Sequence, residues 1–147
     1  MAYAALLRMK LRSLTDDVFS IDQMIPAPGQ GVVAVEILSK RSDLKKFFKK
    51  IDNEKVRREV TVERYIAESL DGDCHSPVGI YANLLSENKK GFLAKNEMDV
   101  KIFIASPKTG EVIRYNKIFN DKKKQELNSV INYLINRGAK KLLQEKD

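Results

Sequence analysis

The chain has 147 residues, 43% hydrophobic and 32% charged, which suits one globular domain with a real core plus an extension. No run of about 18 apolar residues occurs, so no membrane span is expected, and Arg8, Lys10 and Arg12 interrupt the apolar start at Ala2–Leu7 before a leader core forms; a cytoplasmic protein is expected. The net charge of +7 comes from lysine pairs and runs scattered along the chain without interleaved aromatic residues, which predicts a solvated basic surface rather than a nucleic-acid interface.

In chain order, Leu7, Leu11 and Leu14 recur at helical spacing and predict a helix over 4–14, ended by Thr15-Asp16-Asp17. Ile21 to Gly31 holds Pro26, Pro28, Gly29 and Gly31 and reads as a loop that enters an apolar strand, Val32 to Leu38. A short helix is predicted over 42–50, with Ser42 as N-cap and Leu44, Phe47 and Phe48 on the inner face. Asn53 caps a longer helix, Glu54 to Leu70, with an apolar stripe of Val56, Val60, Ile66 and Leu70. Within it, Glu63 and Arg64 are each expected to make a salt bridge or hydrogen bond that fixes the helix against its neighbours. Strands are predicted at 78–85, 92–94, 98–105 and 111–118, with turns at Asn96-Glu97 and Ser106–Gly110, and a final helix over 121–144 in which Gly138 marks a cap or kink. The expected fold is α+β, a small antiparallel sheet covered on one face by helices and preceded by a helix and a strand.

Between the long helix and the first strand of the sheet stands Leu70-Asp71-Gly72-Asp73-Cys74-His75-Ser76-Pro77-Val78-Gly79, with the only cysteine and the only histidine. A lone cysteine forms no internal disulfide and is ordinarily a small buried hydrophobe. Gly72, Pro77 and Gly79 mark irregular backbone, however, and Asp71 and Asp73 favour solvent, so a displayed and reactive thiol stands beside the buried one. No metal site is expected.

This stretch resembles the cofactor-attachment loop of the porphobilinogen deaminase (hydroxymethylbilane synthase) family, Leu-Glu-Gly-Gly-Cys followed shortly by Pro and Gly, with Asp73 standing where the family has glycine. Pro26-Ala27-Pro28-Gly29-Gln30-Gly31, leading through Val32–Val35 to Glu36, and Thr61-Val62-Glu63-Arg64 fall in the family's order. The resemblance runs from about Ala2 to Lys141 and reaches only the C-terminal part of a three-domain enzyme, which implies a fragment or truncated product. It implies that residues 1–42 are the tail of the family's second domain with the loop and strand returning to its first, and that residues 43–147 are the cofactor-attachment domain. It further implies a dipyrromethane cofactor held by Cys74 through a thioether, since a thiolate is nucleophilic enough to form that bond. Gln30 and Gly31 would line the cleft, and Arg8 would bind substrate carboxylates, a task that suits a planar guanidinium. The implied activity couples four porphobilinogen units into hydroxymethylbilane. The implied partners are porphobilinogen, the growing polypyrrole and the enzyme's N-terminal domains, with no nucleic acid or membrane. No catalytic acid or base is placed in this chain, because the family's belong to those N-terminal domains. The alternative is a non-catalytic remnant or a small basic module that binds an acidic partner.

Overall fold

Met98, Val100, Ile102 and Ile104 alternate with polar or partly exposed residues, and a period of two puts them on one face of a strand. In the computed structural model, which describes residues 3–71, 76–85 and 96–145, they lie on β2 (Glu97–Ala105). This strand is the centre of a three-stranded antiparallel sheet between β1 (Val78–Leu84) and β3 (Val112–Asn120). The register sets Ile102 opposite Ile80 on one side and Tyr115 on the other. The β2–β3 hairpin turns where expected: the Ser106 N–H donates to the Glu111 carbonyl at 2.9 Å, and Ser106 Oγ accepts from the N–H groups of Lys108 and Thr109.

Helix α3 (Glu54–Ser69) begins as its sequence dictates, with Asn53 Oδ1 accepting from the Val56 N–H at 3.2 Å. It buries Val62, Ile66 and Leu70, while Val56 and Val60 of the expected stripe are only half-buried. The expected helix over 121–144 is divided in two, α4 (Lys124–Asn136) and α5 (Ala139–Gln144). Gly138, at φ 88°, makes the break, and its carbonyl accepts from the Leu142 N–H to start α5. Val130, Leu134 and Leu142 join Ile66, Ile80 and Ile102 in one core between the helices and the sheet, each such side chain contributing about 1.5–3 kcal/mol. The fold is α+β. Arg58 tethers α3 to the end of β3, its Nε and Nη2 donating to Asp121 at 2.8 and 2.6 Å and Nη2 also to Asn96 at 3.0 Å.

The N-terminal segment departs more from expectation. The helix over 4–14 is α1 (Tyr3–Arg8) followed by a 3₁₀ turn at Arg12–Leu14, because Lys10 takes φ 57° and interrupts the ladder. Helix α2 (Ser42–Phe48) starts at the residue expected to cap it, and Arg41 occupies the cap position with its guanidinium bound to Asp43. Leu44 and Phe48 turn inward, but Phe47 is 62% exposed: a helix of seven residues keeps only the i, i+4 pair on its inner line. Residues 32–38, expected as a strand, form no ladder among the described residues. A strand needs a partner for its backbone donors and acceptors, and the outer edge of β1 is already occupied by other groups. The strand expected at 92–94 lies outside the described residues.

Candidate cofactor-binding site

In an antiparallel ladder alternate residues aim their N–H groups away from the neighbouring strand. On β1 these are Ile80, Ala82 and Leu84, and each has an acceptor from elsewhere in the chain. The Ile80 N–H donates to the Pro26 carbonyl at 2.9 Å, Ala82 to Glu63 Oε1 at 2.9 Å and Leu84 to Glu59 Oε1 at 2.8 Å. Two carboxylates one turn apart on α3 thus do the work of a strand, and the edge is closed to further pairing. The second oxygen of Glu63, Oε2, accepts from the Gly29 N–H at 2.7 Å. Glu63 is 6% exposed, and burial raises its carboxyl pKa above the ordinary value while the N–H groups of Ala82 and Gly29 oppose the rise.

The loop is held at other points as well. Gly79 lies in β1 directly beneath Ile25, so close that a Cβ there would stand 2.5 Å from the Ile25 carbonyl oxygen. Asp22 pairs with Lys101 on β2. The loop that leads to Gln30 and Gly31 is therefore docked on the sheet.

Of the expected site residues, Gln30 and Gly31 sit at the exposed end of this docked loop, in a turn where the Gln30 N–H donates to Ala27 and the Val32 N–H to Gly29. Gly31 takes φ 83°, and nothing lies within 4 Å of where a Cβ would be, so open space adjoins it on that side. Arg8 is exposed in the last turn of α1, with no ion pair to any described residue. Cys74 itself lies outside the described residues, but both ends of its segment are anchored. Before it, Leu70 is buried and Asp71 pairs with Lys140 at 2.6 Å. After it, the Pro77 carbonyl accepts from the Ala105 N–H at 3.0 Å. Glu63 makes the helix-fixing contact expected of it, whereas Arg64, among the described residues, pairs with Glu68 of its own helix, at 3.5 Å.

Glu59 was not singled out in the sequence, and Pro26 was read only as part of a loop. A usable signal existed: like charges at i and i+4 repel on a solvated helix face, so Glu59 and Glu63 together point to donors from another element. A further concavity of about 740 Å³ lies between residues 32–37 and the facing sides of α2 and α3, with Val33, Phe48 and Val60 on its walls and Lys45, Lys49 and Arg64 also lining it. No helix among the described residues is long and apolar enough to cross a membrane.

Comparison with known proteins gives the following similarities. Residues 1–46, which include Arg8, Gln30 and Gly31, match the family model described as "Porphobilinogen deaminase, dipyromethane cofactor binding domain". The porphobilinogen deaminase of a Nitratiruptor species is 34% identical over 151 aligned positions, covering 100% of this chain and 45% of the relative. That of Carboxydothermus hydrogenoformans is 30% identical across 99% of this chain and 44% of the relative, and that of Clostridium acetobutylicum is 41% identical across 58% and 29%. The chain therefore belongs to the porphobilinogen deaminase family and spans less than half the length of the curated relatives it matches.

Proposed function

We propose that this chain is the C-terminal, cofactor-carrying part of a porphobilinogen deaminase that joins four porphobilinogen units into hydroxymethylbilane in the cytoplasm. The observation that carries the reading is the alignment of essentially the whole chain to such enzymes, combined with Cys74 in its motif between α3 and β1. Bound dipyrromethane would supply the primer for chain growth. Cys74 Sγ would hold it in a thioether. The open space beside Gly31 and the exposed guanidinium of Arg8 suit a group that bears several carboxylates. Residues 43–147 form the attachment domain in this reading, and residues 1–42 belong with the enzyme's other two domains. Val33 and Leu38, 74% and 75% exposed, are apolar surface of the kind those domains would cover.

Intact mass tests the proposal. The chain co-expressed with the N-terminal half of a relative is expected to carry a dipyrromethane adduct, and Cys74→Ser is expected to lack it and to lose priming, since a neutral hydroxyl is a far weaker nucleophile than a thiolate. A bare thiol in the assembled protein would overturn the proposal. It would favour the second reading, a non-catalytic remnant or basic module for an acidic partner, which draws on Asp73, the sequence neighbour of Cys74 that stands where the family has glycine.

A further inference from the structure

We propose that Glu63 is a positioning residue that locks the Gln30–Gly31 turn onto β1, so that the turn and the anchored ends of the Cys74 segment move as one body. Its two oxygens are divided between donors 34 and 19 residues away in the chain, Gly29 and Ala82. The carboxylate is buried, so water is a poor substitute for either bond if it is lost. Glu63 also stands on the helix that leads directly into the Cys74 segment, and Ala82 on the strand that follows it. One side chain thus joins the exit and return of that segment to the turn that carries Gln30 and Gly31.

Glu59 provides the contrast. It supports the same edge of β1 through Leu84, and its other partner is Lys55, at 3.5 Å on its own helix. Among the described residues no hydrogen bond joins it to the loop. Glu59 holds a strand, whereas Glu63 holds a strand and a turn. The role of Gln30 and Gly31 toward a ligand rests on the function proposed above; the mechanical coupling does not.

Hydrogen exchange on the full 147-residue chain separates the two carboxylates. In Glu63→Gln one terminal atom becomes a donor; the remaining carbonyl oxygen stays with the more deeply buried Ala82 N–H, so the Gly29 N–H loses its acceptor. The Gly29 and Gln30 amides are expected to exchange on the order of tenfold faster, while Ile102 in the core changes only with global stability. In Glu59→Gln the Leu84 amide should accelerate and the turn should not. An unchanged turn in Glu63→Gln, or equal acceleration in both variants, overturns the proposal. Should Glu63→Gln fail to fold, the wild-type chain decides by NMR. The amide proton shifts of Gly29 and Ala82 should follow one shared titration, with Glu59 the neighbouring charge that acts on Glu63. Separate midpoints, or no titration at either amide, reject the coupling. A coupled turn in a protein whose Cys74 stays bare would leave this inference standing and remove the functional reading alone.

Discussion

Substituting Gly79 by alanine tests whether the loop is docked on the sheet through backbone contact. The added Cβ would lie 2.5 Å from the Ile25 carbonyl oxygen and 3.1 Å from its carbon, and since both are main-chain atoms the loop has to move. Movement of Ile25 takes Pro26 with it and strands the Ile80 N–H, whose residue is fully buried and whose acceptor is the Pro26 carbonyl at 2.9 Å. An unsatisfied buried donor costs about 1–3 kcal/mol, and displaced packing adds to that, so a loss of roughly 2–3 kcal/mol is expected. For a chain of this length it corresponds to a fall in Tm of roughly 6–12 °C. Thermal melts followed by circular dichroism give the number, and exchange at the Ile80 amide locates it. Gly110→Ala serves as the control: it has open space for a Cβ but sits at φ 73°, so it should lose only about 1 kcal/mol through backbone strain. A Gly79→Ala protein melting within about 2 °C of wild type, with Ile80 still protected, would refute the docking argument.

Three other outcomes follow from the geometry and the proposed function. Asp121→Ala leaves the Arg58 guanidinium with Asn96 as hydrogen-bond partner and Glu54 as a nearby opposite charge, and because that side chain is 17% exposed the loss should be about 2 kcal/mol rather than the larger value of a fully buried pair, read as a lower midpoint in urea; an unchanged midpoint refutes the tether. Burial raises the Glu63 carboxyl pKa, so the folded chain holds that proton more tightly than the unfolded one; the associated stability is present below about pH 4.5 and declines as pH rises through the raised folded value. Wild type should lose stability across that window relative to Glu63→Gln, and a constant difference between them would contradict the assignment. The purified chain alone should form no hydroxymethylbilane from porphobilinogen, and measurable turnover would show that the catalytic groups lie within it.

The sheet, its hairpin and the core helices were legible because each repeats a simple period. Ile102 and Ile104 alternate with Lys101 and Phe103, and Ile66 and Leu70 recur at one helical turn. Asn53 and Gly138 marked their helix ends because each acts through its own local chemistry, a side-chain acceptor and a left-handed φ. Residues 32–38 failed for the opposite reason. Val32, Val33 and Val35 have strand propensity, but a ladder depends on an available edge, and no property of those residues reveals that β1's edge is taken.

How that edge is taken bears on the site. Pro26 was read, with Pro28, Gly29 and Gly31, as marking a loop, yet it is the Pro26 carbonyl that docks the loop. Gly79 was read as irregular backbone beside Cys74, yet it lies within a regular strand, where only the absence of a side chain lets Ile25 approach. Both residues lie in motifs that carry the family resemblance, and both are needed for one contact, between the loop bearing Gln30 and Gly31 and the strand that follows Cys74. Glu63, in the third such motif, closes that contact from the helix side. The first motif is far from the other two in sequence, yet all three converge on the edge of a single strand. Their co-occurrence in the chain has a mechanical basis that can be stated without any appeal to catalysis: each supplies a part of the joint that the other two require.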